Sequence, residues 1–279
     1  MPIKDVLLPL VGESGDATIA AIDKCVAVAG DFGANVTAVA VEETVLVRPQ
    51  VISTDLDNSA AANAVRSVTD ANGLLKAFDN AAIRFGLRNE QTLVRWAAGD
   101  IATNFARAAR LKDLSLIPVK SHDNQSEAIV EQLLFKSGRP ILLFPKERAA
   151  ELPVAFRHVV IAWDHSAPAA RAVGDALPLL EAAETVRVIT ATDRSTPEEM
   201  KSGADLVGHL GEHGIKASFE AIKIEGSSVG KVFEAFVRAN AIDLLVMGGY
   251  RHTRLNEIVW GGVTKTVIGQ PPCWVMMSR

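Results

Sequence analysis

Two hydrophobic periods alternate along the chain. Val6–Leu10 (VLLPL) is a short apolar run of the kind buried on both faces of a parallel sheet, and Thr18–Phe32 then carries small and apolar residues at helical spacing up to a stop near Gly33. A second strand is predicted at Val36–Val41. After a polar approach that begins at Val51, Asp55–Phe85 sets Ala, Val, Leu and Phe three and four residues apart, which predicts a long helix closed at Gly86. Further strands are predicted at Thr92–Trp96, Leu114–Val119 and Ile141–Phe144, with a helix at Ile101–Arg110. The result is a β-α alternation throughout.

Lys146–Pro153 (KERAAELP) interrupts this rhythm: it is charged, contains proline and precedes a fresh apolar run at His158–Ala162, so it marks a boundary. Beyond it the pattern starts again. VVIAWD answers VLLPLV, VRVITAT answers VTAVAVE, HGIKASFEAIKI answers FGLRNEQTLVRW, GSSVGKVFEAFVRANAIDLLVM answers GDIATNFARAARLKDLSLIPV, and PPCWVMM answers GRPILLF. Correspondences in one order indicate duplication of a five-strand α/β unit, the first copy having a longer segment between its second and third strands. The expected domains are 1–149 and 155–279.

Candidate chemistry concentrates in Ile242–Thr264 (IDLLVMGGYRHTRLNEIVWGGVT). The apolar run Leu244–Met247 stops at Gly248 and Gly249, and a second pair, Gly261 and Gly262, stands where a helical pattern begins through Lys265–Ile268. Glycines after a buried strand and again before a helix fit a loop whose main-chain N–H groups face an anion, with phosphate as the expected guest. They fit equally a plain turn and a close helix packing.

Composition narrows the class. With 279 residues, 48% apolar, 22% charged and 5% aromatic, the chain has the make-up of a globular α/β protein of two domains. A net charge of −4 and the lack of any Lys/Arg block or aromatic-basic stripe argue against a nucleic-acid partner. The N-terminal MPIKDVLLPLVGES reads as a first strand rather than a signal peptide, and no run reaches membrane-spanning length. Cys25 and Cys273 lie far apart and make no disulfide framework, so the cytoplasm is the expected compartment.

The duplicated pattern and the glycine spacing resemble the universal stress protein family in its tandem two-domain form, over nearly the whole chain. The resemblance implies a Rossmann-like, adenine nucleotide alpha hydrolase-like fold with doubly wound five-strand parallel sheets. ATP-binding members carry Gly, two residues, Gly, nine residues, Gly, then Ser or Thr; here that frame falls on Gly248, Arg251, Gly261 and Gly262. It implies an adenine nucleotide such as ATP as cofactor, with Asp164 at its nucleoside end and Ala162 and Ala191 near the base. Met247 and Gly248 would end the fourth strand, and Gly261, Gly262, Val263 and Thr264 would form the triphosphate turn. Two positions depart from the family. Arg251 replaces a glycine, so it either blocks the phosphates, pairs with them through its guanidinium, or stands in solvent. Gly262 lacks the Ser/Thr hydroxyl, while Thr264 still offers an oxygen.

The first copy departs further. Val11 stands in place of Asp164, Ile117 and Pro118 in place of Met247 and Gly248, and Glu127–Val130 in place of the Gly261–Thr264 turn. Pro118 supplies no N–H and Glu127 would repel an anion, so no nucleotide site of this kind is expected there.

Other motifs read as structure. His209, Glu212 and His213 match an inverted zinc-protease signature, yet they sit on an amphipathic helix that Gly214 ends. GSSVGK (Gly226–Lys231) misses the P-loop spacing and reads as a turn capped by Ser227 or Ser228 before a helix at Val229–Asn240. Asp164, His165 and Ser166 are too close in sequence to converge as a triad, and Asp164 has a competing role as a helix cap. Trp163 and Trp260 flank the proposed pocket as base contacts or core.

The terminal runs PILLFP and CWVMM would each be an exposed sheet edge alone, and pairing them within one chain removes both. The resemblance implies the same, because family members dimerise through this strand: an intramolecular pseudo-dimer is expected, with homodimerisation left open. Three readings of function stand: a stress-response sensor or adaptor that binds an adenine nucleotide in the second domain; an interaction protein with decayed sites and an unidentified protein partner; and a slow ATPase. The last lacks a positioned base or metal-binding carboxylate pair.

Overall fold

The computed structural model describes residues 2–44, 54–249, 251–254, 257–260 and 262–279. The first half runs β1 (Asp5–Leu10), α1 (Asp16–Asp31), β2 (Asn35–Thr44), α2 (Thr54–Phe85), β3 (Asn89–Ala97), α3 (Ile101–Ala109), β4 (Leu114–Val119), α4 (Asn124–Lys136) and β5 (Ile141–Pro145). A 3-10 stretch, Lys146–Glu151, leads into the second half. This comprises β6 (His158–Ala162), α5 (Ala167–Glu181), β7 (Thr185–Ala191), α6 (Pro197–Glu212), β8 (Ala217–Ile222), α7 (Val229–Ala239) and β9 (Leu244–Gly248), then β10 (Arg251–Arg254), β11 (Glu257–Trp260), α8 (Gly262–Gly269) and β12 (Trp274–Ser278).

Among the described residues, ten strands make one sheet in the order β3-β2-β1-β4-β5-β12-β9-β6-β7-β8. Each half repeats the same doubly wound order, and every pair is parallel except β5 with β12, where Leu142 faces Met276. The two expected five-strand sheets are thus one sheet with an antiparallel seam. Strands β5 and β12 are wholly buried, as their uninterrupted apolar runs require when helices cover both faces. At the seam, Trp274 packs its ring 4.2 Å from Phe144 and 5.7 Å from Phe156 and donates its indole N–H to the Pro153 carbonyl at 3.0 Å. The linker is thereby fastened to the joint it crosses.

Helix ends follow local chemistry. Ser228 caps α7 by accepting from the Lys231 amide, and Gly214, with φ 74°, ends the helix that carries His209 and His213. Both histidines are exposed, and among the described residues no group of three or more His, Cys, Asp or Glu converges as a metal site. Cys25 and Cys273 are free, buried thiols whose ionisation burial pushes well up. No helix among the described residues is long and apolar enough to cross a membrane.

Two features differ from the sequence expectation. Helix α4 occupies a stretch for which no helix was predicted, and the segment after Gly249, expected as an open glycine loop, contains the antiparallel hairpin β10-β11.

Candidate functional site

In the second half, the chain reverses its order between β6 and β9: β7 lies beyond β6 on one side, and β12 beyond β9 on the other. Such a switch point leaves a crevice at the carboxyl ends of the strands, because the helices leaving the two strands cover opposite faces. A cavity of about 680 Å³ lies there. Of the ten residues expected at the site, eight line it: Ala162 from the end of β6, Asp164 just beyond, Ala191 from β7, Met247 and Gly248 from β9, and Gly262, Val263 and Thr264 at the start of α8. Gly261 lies outside the described residues. Arg251 opens β10, its backbone opposite Trp260; its side chain and that of Trp260 also lie outside them. A strand position asks for no left-handed backbone, so glycine is not required at 251 on conformational grounds.

The loop after β6 is ordered by its own polar groups. Asp164 Oδ1 accepts from the Ser166 amide at 3.0 Å, and Ser166 Oγ accepts from the Ala169 amide at 3.2 Å. Ser166 is therefore the cap of α5, and Asp164 is not; the carboxylate instead closes an Asx turn and keeps Oδ2 clear of protein partners among the described residues. His165 between them takes φ 61°, a left-handed conformation that turns the chain sharply across the cavity mouth. Trp163 forms the wall behind: its indole N–H donates to Ser202 Oγ at 2.8 Å, and its carbonyl accepts from Thr190 Oγ1 at 2.8 Å.

The loop into α6 adjoins it and also lines the cavity, although nothing in the glycine frame pointed there. Thr196 caps α6, and Glu199 returns its carboxylate to the Thr196 amide at 2.8 Å and to Thr192 Oγ1. These bonds to the charged form, the Thr196 amide foremost, hold the Glu199 pKa below its ordinary value of 4.5. The signal lay in T-P-E-E, a capping box with proline at the first helical position.

The glycines serve different ends. A Cβ on Gly248 would fall 2.5 Å from the Ala169 amide nitrogen and 2.7 Å from the Pro168 carbonyl carbon, so β9 meets the start of α5 too closely for any side chain. Around Gly262 a Cβ would meet nothing within 4 Å. Gly262 is exposed, Val263 half-buried and Thr264 buried, so the first turn of α8 presents main chain at the cavity and anchors itself by Thr264. The amides that open a helix have no intrahelical acceptors and carry partial positive charge.

The first half has a corresponding cavity between β1 and β4, of about 530 Å³. Glu127, expected to repel an anion there, does not line it. Its Oε1 lies 3.3 Å from where a Cβ on Gly269 would stand, because α4 packs against α8 across the seam. Asp123, the cap of α4, stands at the cavity instead.

Sheet order, repeat and crevice together define a tandem doubly wound α/β protein with a switch-point cavity. A model described as the universal stress protein family matches residues 155–279. That second half is thus similar to the universal stress protein family, and the first half repeats its fold. The crystal structure of a universal stress protein from Archaeoglobus fulgidus DSM 4304 is similar over 99% of this chain and 98% of that one, with a TM-score of 0.66 and 14% identity. A functionally unknown protein from Pseudomonas aeruginosa PAO1 is similar over 99% of this chain and 92% of its own, with a TM-score of 0.57 and 12% identity. At these identities the likeness concerns the fold. No curated protein matches the chain.

Proposed function

We propose that the second half binds an adenine nucleotide such as ATP in the β6/β9 cavity and that the protein works as a nucleotide-dependent sensor or adaptor. The observation that carries this reading is the gathering of Asp164, Ala191, Gly248 and the Gly262–Thr264 turn around one crevice. Its volume lies within the usual range for small-molecule sites. In this reading Asp164 Oδ2 accepts from a ribose hydroxyl, the helix start of α8 meets phosphate, and Ala162 and Ala191 lie against the base. Binding rather than turnover is the proposed activity.

Titration of the full chain with ATP, ADP and AMP by calorimetry tests the proposal, with Trp163 emission as a second signal because its ring lines the cavity. Saturable binding weakened roughly tenfold or more by Asp164→Ala is expected, a loss of about 1.4 kcal/mol. Absence of heat and of fluorescence change at millimolar nucleotide would remove it.

The second reading, a surface-acting interaction protein, draws on the hairpin that stands beside the cavity where an open loop was expected. Arg251→Gly separates the two. A large gain in ATP affinity favours decay of the site, and a loss assigns the guanidinium to phosphate.

A further inference from the structure

The cavity of the first half is not an empty copy of the second. Helix α4 begins before the position that answers the glycine turn, so Ile129 lines the wall as Val263 does in the second half, and the residues ahead of it form an extra helical turn. Asp123 closes that turn by accepting from the Ser126 amide at 2.8 Å and its hydroxyl at 2.7 Å. Glu147 accepts from the Ser121 amide at 3.2 Å. Both carboxylates are thus hydrogen-bonded to the Lys120–Ser126 loop, and that loop holds Lys120 at the same cavity as Lys146.

Lys146 is half-buried and has no hydrogen bond or ion pair among the described residues. Burial and then the Lys120 ammonium push its pKa down, against the weaker pull of Glu147, Asp123 and Glu13. Glu13 is exposed, where water screens its charge. An ammonium that has lost hydration without gaining a partner is costly, and a second cation beside it raises the cost. A small oxyanion between the two removes both penalties. α1 adds main-chain donors nearby, since its cap, Gly15, leaves the first amides without a side-chain acceptor, while Asp16 of its first turn is exposed at the rim.

We propose that this cavity is a separate oxyanion site, in which Lys120 and Lys146 hold the phosphate or carboxylate group of a small metabolite. A nucleotide of the kind proposed for the second half is a poor fit, because Val11 offers the ribose nothing and Pro118 has no N–H. The site therefore stands whether or not the second half binds nucleotide.

Site-resolved lysine labelling tests it on the full chain. A brief pulse of an acetylating ester is applied at constant ionic strength, with and without inorganic phosphate or citrate, and each lysine is quantified by peptide mass spectrometry. Saturable protection of Lys146 by roughly tenfold is expected, with Lys24 and the exposed Lys216 unchanged. Calorimetry with the same anions should show affinity lowered at least about tenfold in Lys146→Gln and in Lys120→Gln. Protection by phosphate alone assigns a phosphorylated ligand, and protection by citrate alone a carboxylate. Absence of protection by either at tens of millimolar overturns the proposal, as does equal protection of Lys216. Should Lys146→Gln fail to fold, Lys120→Gln and labelling of the natural chain still decide.

Discussion

Gly248 and Gly262 both belong to the glycine frame that the sequence offers as a phosphate cradle, and the structure predicts opposite consequences for substituting them. In Gly248→Ala the new Cβ would lie 2.5 Å from the Ala169 amide nitrogen, about 0.9 Å short of the 3.4 Å at which ordinary contact begins. The obstructing atoms are backbone at the start of α5, which Ser166 fixes in place, so no side chain can swing aside. Forced overpacking of this kind costs about 1–3 kcal/mol. It exceeds the roughly 0.4–1 kcal/mol that loss of a glycine returns through the unfolded chain. In Gly262→Ser nothing lies within 4 Å of the added Cβ. Serine at a helix start is the better residue by a few tenths of a kcal/mol, so stability should hold or rise slightly. Its hydroxyl would also restore the phosphate donor, tightening ATP by about 1–2 kcal/mol. Urea unfolding followed by circular dichroism, without ligand, separates the two variants, and calorimetry with ATP measures the second effect. An unchanged unfolding midpoint for ligand-free Gly248→Ala would refute the packing argument.

Three further outcomes follow from the described contacts. Trp274→Ala should cost about 3–5 kcal/mol in chemical denaturation, because a fully buried ring, its packing on Phe144 and Phe156 and an indole hydrogen bond are lost together at the seam. Ser166→Ala should cost about 1 kcal/mol by the same assay, as α5 loses its cap; weakened ATP binding should accompany it, since the turn that orients Asp164 is loosened. The lowered pKa of Glu199 means the folded state favours its ionised form. Its stabilisation is complete above the ordinary value of 4.5 and vanishes as pH falls through the lower native value, so Glu199→Gln should flatten that part of a stability-against-pH curve and leave the alkaline side alone.

Most of the architecture is legible in the residues because it rests on period and order. Buried strands such as Leu244–Gly248 and Trp274–Ser278 announce themselves as unbroken apolar runs, and the two shielded edges follow from the hazard each would be alone. Helix α4 escapes because Glu127–Val130 answer the Gly261–Thr264 turn of the second half, so the repeat suggests a turn where the spacing of Ile129, Val130, Leu133 and Leu134 allows a helix. The hairpin escapes for a related reason: glycine pairs on both sides mark a loop, and only the pairing of Arg251–Arg254 with Glu257–Trp260 makes it a ribbon. At the site, identity was readable but not orientation. Asp164 and Ser166 compete for one cap, and the serine prevails because it immediately precedes Ala167; the position of Glu127 depends on how α4 meets the other half.

That meeting has a consequence for how the two cavities relate. Because β5 and β12 are antiparallel, all strands of one half run against those of the other. Cavities at the carboxyl ends of the strands therefore open at opposite ends of the sheet. A physical link between them remains in α4. Its amino end is pinned by Asp123 at the first cavity, its Leu134 packs against Gly249 just beyond β9, and the preceding His122 amide donates to the Gly269 carbonyl at the far end of α8. Helix α4 thus touches both the loop at the first cavity and the helix α8 whose start lines the second. Covering one edge alone would not require that arrangement, since β12 already covers β5; the reach of α4 to Gly249 and Gly269 is what makes the halves mechanically one molecule.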